Sequence, residues 1–217
     1  MTGGRGYAAG MPPVPPRPSP SGLTVLALLS MGPLHPYGMQ RLIKSWGKDE
    51  VVNVGQRANL YKTIRRLHEA GLIAVRATER AQQYPERTVY ELTAGGLETG
   101  LRWLREMIAV PRNEYPAFPA ALSLAMQLAP EELAELLSTR LAAVRDRLAH
   151  LEGQLQEYGE GLPRIALIET EYQRAVVGAE ADWLKAAIGD LESGTLTWTY
   201  EQLAAQAHED FSQATEA

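Results

Sequence analysis

The sequence predicts a mainly α protein: an N-terminal winged helix-turn-helix with a two-stranded wing, followed by a C-terminal helical dimerisation region. Three observations carry this. Between residues 22 and 109, helical apolar patterns are interrupted once, after the third, by two short alternating runs. Beyond residue 130, apolar residues recur every three or four positions along two long stretches. Glycine or proline punctuates the boundaries. The expected organisation is a proline-rich tail over 1–20, a winged-helix unit over 21–110, a helical dimerisation unit over 111–205 and a short tail over 206–217.

Residues 1–20 hold six prolines between positions 12 and 20, which predicts a disordered or polyproline tail outside the fold. Residues 22–31 (GLTVLALLSM) are continuously apolar, too short to cross a membrane and suited to a buried helix. After Gly32-Pro33 and the turn at Pro36-Tyr37-Gly38, Met39, Leu42, Ile43 and Trp46 keep helical spacing. A third helix spans roughly 55–70, ended by Gly71 in the position a left-handed cap prefers. Leu60, Ile64 and Leu67 form its buried stripe. At about 100° per residue, Ala58, Lys62, Arg65, Arg66 and Glu69 lie opposite.

Residues 72–78 (LIAVRAT) and 87–92 (RTVYEL) then read as two strands. Thr93-Ala94-Gly95-Gly96 leads into a helix over about 97–109, with Leu97, Leu101, Leu104 and Ile108 on one face. In the first long pattern, Leu137, Leu141, Val144, Leu148, Leu151, Leu155 and Tyr158 alternate steps of four and three, the spacing of a seam against another helix. Ile165, Ile168, Tyr172, Val176, Ala179, Trp183 and Ala186 keep nearly the same rhythm in the second. A helical hairpin follows. Two helices alone close a core poorly, so the seam (Leu137, Leu141, Val144, Leu148, Leu151, Leu155, Tyr172, Val176, Ala179, Trp183) is expected to grip a second copy.

Composition excludes whole classes of function. The chain has 217 residues and no cysteine, so disulfides, thiolate metal sites and cysteine nucleophiles are out. No apolar run approaches a membrane span, and the first twenty residues lack the pattern of a secretory signal, which predicts a cytoplasmic protein with no membrane partner. The four histidines are scattered with no HExxH, Gly47-Lys48 lacks the glycine of a phosphate loop, and Gly95-Gly96-Gly100 fails the dinucleotide pattern. No enzyme activity, cofactor or metal is expected.

The net charge of −5 is unevenly spread. Residues 1–20 carry Arg5 and Arg17 and no acid, residues 21–112 hold 13 Lys or Arg against 8 Asp or Glu, and residues 113–217 hold 6 against 18. A basic half of this kind suits a polyanion, although helical proteins also vary locally in charge. The third helix fits a major groove about 12 Å wide, with Ala58 small enough to approach bases. Lys62, Arg65 and Arg66 have reach to phosphates or guanine edges, and Gln56, Arg57 and Asn59 lie near the helix start, where base contacts concentrate. Arg80, Gln82, Gln83 and Arg87 on the hairpin suit a minor groove or backbone. An ordinary solvated helix face is the competing reading.

Tyr37-Gly38, the run NLYKTIRRLHEAGLI at 59–73 and RTVYELTAGG at 87–96 resemble the PadR family of bacterial transcriptional regulators. The resemblance is specific over residues 22–110 and looser, by length and pattern, in the acidic helical half. The proline-rich start has no counterpart in the family pattern, and Gln56-Arg57-Ala58-Asn59 departs from the small or hydroxyl residue more often found before Leu-Tyr. The resemblance implies a homodimeric repressor that binds a palindromic site in double-stranded DNA, with a small aromatic or amphipathic effector as a further partner. By position it places Tyr37, Tyr61, Lys62 and Arg65 toward DNA and Arg87 on the hairpin's basic position. Trp103 and Trp183 are candidates for an effector pocket, with plain core packing the alternative. The competing function is a winged-helix protein-interaction module recruiting a partner through its coiled helices. It would need apolar residues where the third helix is basic.

Overall fold

The computed structural model describes residues 16–48, 57–79 and 87–199, and of Arg57 and Glu79 the backbone only. Gln56, Arg80, Gln82, Gln83 and most of the proline-rich tail lie outside the described residues. The chain divides into two compact units, residues 1–113 and 114–217. No described helix is long and apolar enough to cross a membrane.

The first unit runs α1 (Pro20–Met31), α2 (Pro36–Ser45), α3 (Arg57–Glu69), β1 (Ile73–Glu79), β2 (Arg87–Leu92) and α4 (Ala94–Ala109). Its helix starts follow from short polar caps. Ser19 Oγ accepts from Gly22 N at 3.2 Å, His35 Nδ1 from Gly38 N at 2.8 Å and Thr93 Oγ1 from Gly96 N at 3.0 Å. Pro20 and Pro36 open α1 and α2, where the missing N–H costs nothing. α3 stops because Gly71 takes φ +70, letting Gly71 N donate to His68 O and Leu72 N to Leu67 O.

The two strands pair antiparallel from Ile73↔Leu92 to Glu79↔Arg87, with a bulge between Val75 and Ala77. Leu34 adds a short bridge to Tyr90 on the other edge of β2. At the base of the ribbon, Thr93 locks the turn after α3 to the start of α4: its hydroxyl lies 2.9 Å from Gly71 O and 3.0 Å from Leu72 O. Gly96 sits so close there that a Cβ would lie 1.9 Å from Leu72 O. The core gathers Val25, Leu26, Leu28, Leu29, Met39, Ile43, Leu60, Ile64, Leu67, Leu72, Ile73 and Trp103.

The apolar row of α4 points outward. Leu97, Leu101, Leu104 and Ile108 are exposed, Ile108 by 78%, while Gly96, Thr99, Gly100 and Trp103 are buried. The cause is steric. α4 crosses α1 closely, with Gly100 against Leu26 and Trp103 against Gly22, and only small residues beside one large ring fit that contact. The leucine stripe is left on the outside.

The second unit contains α5 (Ala117–Leu122), a short 3-10 turn (Ala125–Gln127), α6 (Pro130–Tyr158), a second such turn (Arg164–Ala166) and α7 (Ile168–Glu192). α6 and α7 form the expected hairpin. Leu133, Leu137, Leu141, Val144 and Leu151 of α6 pack with Val177, Ala181, Leu184, Ile188 and Leu191 of α7. The α6 seam is therefore occupied by the chain's own α7, a correction to the reading that it grips a second copy. Leu148 joins the same cluster at its edge, with Leu155 half-buried.

The stripe expected on α7 points outward: Ile168, Val176 and Trp183 are about half exposed and Tyr172 is 71% exposed. Ala179 is exposed too. α7 carries two apolar stripes about 100° apart, and the bulkier aliphatic one won the inner position. Arg164 closes the turn before α7 with a bidentate grip on Glu171, at 3.0 and 2.9 Å. Those hydrogen bonds hold the Glu171 carboxyl below its ordinary value.

Candidate nucleic-acid interface

The burial of Leu60, Thr63, Ile64 and Leu67 fixes how α3 is rotated. Ala58, Asn59, Lys62, Arg65 and Arg66 then have to face solvent, and all five are exposed. The only acid described on this helix, Glu69, is its last residue. The result is an exposed face about two turns long, cationic from Lys62 to Arg66, of a width a major groove admits.

Tyr61, half exposed, sits on one flank of that face. There it meets the exposed Tyr37 from the first turn of α2 and Arg87 from the start of β2 around a cleft of about 350 Å³, completed by His35, Pro36, Thr88 and Tyr90. Three residues expected at the interface from distant parts of the sequence thus converge. Two phenolic hydroxyls and a guanidinium, with no carboxylate in the lining, are hydrogen-bonding groups that suit a phosphate oxygen. The geometry has local causes. His35 caps α2 and stacks on Tyr37 with ring centroids 6.1 Å apart, and Tyr90 is held edge-on to His68 at 6.0 Å. His35, Thr88 and Tyr90 were not singled out as site residues. The sequence signal for His35 was its place directly before a helix-opening proline.

On the other flank, Arg66 donates to Ser19 Oγ at 3.0 Å, so its charge is tethered toward the start of α1.

The two tryptophans part company. Trp103 is 2% exposed, in the first core beside Gly22. Trp183 is 46% exposed and meets Phe118 edge-on at 6.1 Å. An open cleft of about 530 Å³ lies beside Phe118, between α5 and α6, with Leu122, Leu128, Leu133 and Leu137 as walls. Its one charged lining residue is Arg140, which stands 3.5 Å over the Phe118 ring and donates to Glu180 at 2.6 Å. Neither tryptophan lines it. Among the described residues, no group of three or more His, Asp or Glu is placed to hold a metal ion.

A helix pair, a third helix with an outward basic face and an antiparallel ribbon define a winged helix-turn-helix. Residues 25–100 match the model of the transcriptional regulator PadR-like family. That is a family of transcriptional regulators, not of enzymes. The fold is similar to that of Bacillus subtilis PadR in complex with operator DNA, with a TM-score of 0.62 at 18% identity, covering 78% of this chain and 98% of that one. The same protein in complex with p-coumaric acid matches with a TM-score of 0.62 at 17% identity, covering 79% and 98%. The Vibrio cholerae virulence activator AphA matches with a TM-score of 0.62 at 17% identity, covering 80% and 98%. At these identities the likeness concerns the fold. No protein of curated function matches the chain.

Proposed function

We propose that the chain is a homodimeric repressor that binds a palindromic promoter site in duplex DNA, one α3 in each major-groove half-site. The observation that carries this is the rotation of α3, which turns Lys62, Arg65 and Arg66 outward together while the Tyr37–Tyr61–Arg87 cleft opens beside them. A protein-interaction module would present apolar residues on that face. Among the described residues of α3, Tyr61 is the one large apolar side chain exposed.

Two outward stripes support the dimer: Leu97, Leu101, Leu104 and Ile108 on α4, and Ile168, Tyr172, Val176 and Trp183 on α7. Apolar rows of this length favour burial against another surface. A small aromatic or amphipathic effector completes the reading. The cleft between α5 and α6 offers it apolar walls and one cation, a common composition for small-molecule sites. An effector releases DNA if it favours a dimer whose reading helices no longer match the helical repeat.

Binding to a random-sequence duplex across salt tests the interface. A dimer with six to ten phosphate contacts loses on the order of a thousandfold or more in affinity between 50 and 200 mM salt. Binding that ignores salt, or none at 50 mM, contradicts the proposal.

A further inference from the structure

We propose that the cleft between α5 and α6 takes an unbranched alkyl monocarboxylate, its chain laid against the leucines and its headgroup forked onto Arg140. The inference rests on the reading of this cleft as an effector site and names the ligand class.

α5 stands off the helix beneath it. None of its residues is buried, and Phe118 and Leu122 are only partly covered by the core of α6 and α7. The gap is the cleft. Leu124 and Leu136, in its lining, are 59% and 51% exposed, an aliphatic rim that a chain laid between the helices removes from water. Phe118 is the one ring in the lining, and Arg140 already covers a face of it at 3.5 Å. The rest of the apolar wall is leucine and alanine, which pack on methylenes but offer a planar ligand no ring to stack on.

The polar end selects an anion. Arg140 is the one charged lining residue, and Gln127, the one other polar residue there, is exposed. Nε and Nη2 of Arg140 both reach Oε1 of Glu180 at 2.6 Å, and among the described residues the guanidinium has no other hydrogen-bond acceptor. Both hydrogens of Nη1 and one of Nη2 are therefore left, the edge on which a carboxylate accepts two parallel bonds. A cationic amphiphile, by contrast, meets Arg140 as a like charge and finds no carboxylate in the lining.

Titration calorimetry of the full chain with hexanoate, octanoate and decanoate, and with octanol and phenylpropanoate, tests this. Affinity rises about fourfold per added methylene, the gain from burying one such group. Octanol binds at least about tenfold more weakly than octanoate. Arg140→Met removes that preference: octanoate falls to the level of octanol, while octanol keeps its affinity, which a merely structural loss would not allow. Leu136→Glu, on the exposed rim, abolishes octanoate binding without unfolding the hairpin. Affinity independent of chain length, or equal loss of both octyl ligands in Arg140→Met, overturns the proposal. So does a Leu136→Glu variant that turns a dimer into monomers, because a second copy then covers the cleft.

The same ligands added to the chain bound to duplex DNA separate this proposal from the reading beneath it. Phenylpropanoate that binds and releases DNA where the alkanoates do neither overturns the ligand class and keeps the effector site. Alkanoates that bind but leave the affinity for DNA unchanged uphold the ligand and overturn its role as effector. No binding by any of the probes overturns both.

Discussion

Gly96→Ala, set beside Gly95→Ala, tests how the reading helix is joined to the rest of its unit. A Cβ at Gly96 would stand 1.9 Å from Leu72 O and 2.8 Å from Leu92 Cδ1. Ordinary contact requires about 3.4 Å, so α4 and the turn after α3 must part by about 1.5 Å. Three contacts cross that gap: Thr93 Oγ1 to Gly71 O and Leu72 O, and Thr93 N to Leu72 O at 3.2 Å. Losing one or two hydrogen bonds costs about 1 kcal/mol each, and repacking adds about 1–3 kcal/mol. Replacing a helical glycine returns a little under 1 kcal/mol, so the net is about 3 kcal/mol. For a unit of this size, that lowers Tm by roughly 12–24 °C. At Gly95, by contrast, the nearest atom to a Cβ is Thr93 Oγ1 at 4.0 Å, and alanine there stabilises by about 0.5 kcal/mol. Calorimetry of the full chain separates the two. Matching transition temperatures for both variants would refute the reasoning about this junction.

Other perturbations divide the reading helix from the helical half. Lys62→Ala weakens binding to random and selected duplexes alike and flattens the salt slope by about 0.9 per protomer; a change confined to one base position would make Lys62 a base contact instead. Val176→Glu, on the outward stripe of α7, converts a dimer to monomers in sedimentation while leaving the fold intact, whereas Leu184→Glu, buried against α6, unfolds the hairpin. A dimer that survives Val176→Glu removes that stripe from the interface. The Glu171 carboxyl, held down by hydrogen bonds from Arg164, is expected to titrate by NMR below the ordinary glutamate range, and Arg164→Ala raises the midpoint. Because the folded value is the lower one, the pair's contribution to stability is present above the unfolded value and fades as pH falls through the folded one.

The winged helix was legible because its boundaries are stereochemical. Gly71 ends α3, Thr93 starts α4, and the spacing of Leu60, Ile64 and Leu67 sets the rotation that turns Lys62 and Arg65 outward. Which stripe faces inward was not legible on α4 and α7. Periodicity locates an apolar row but not what covers it. On α4 the leucines lost to Gly100 and Trp103, where α1 lies too close for them, and to Gly96, which abuts the Leu72 carbonyl. On α7, Ile168, Tyr172, Val176 and Trp183 share the rhythm of the row that packs on α6. The cleft beside Tyr61 was half legible. Tyr37, Tyr61 and Arg87 were expected near DNA, but a bridge between Leu34 and Tyr90 brings His35 and β2 together, and no local pattern announces a single long-range bridge.

Selection of bound sequences from a random duplex pool tests the central claim most directly. Two copies of α3 in successive major grooves predict an inverted repeat with half-sites centred about 10–10.5 base pairs apart, or a multiple of that. A pool that stays random, or that yields a single unrepeated motif, would contradict the account.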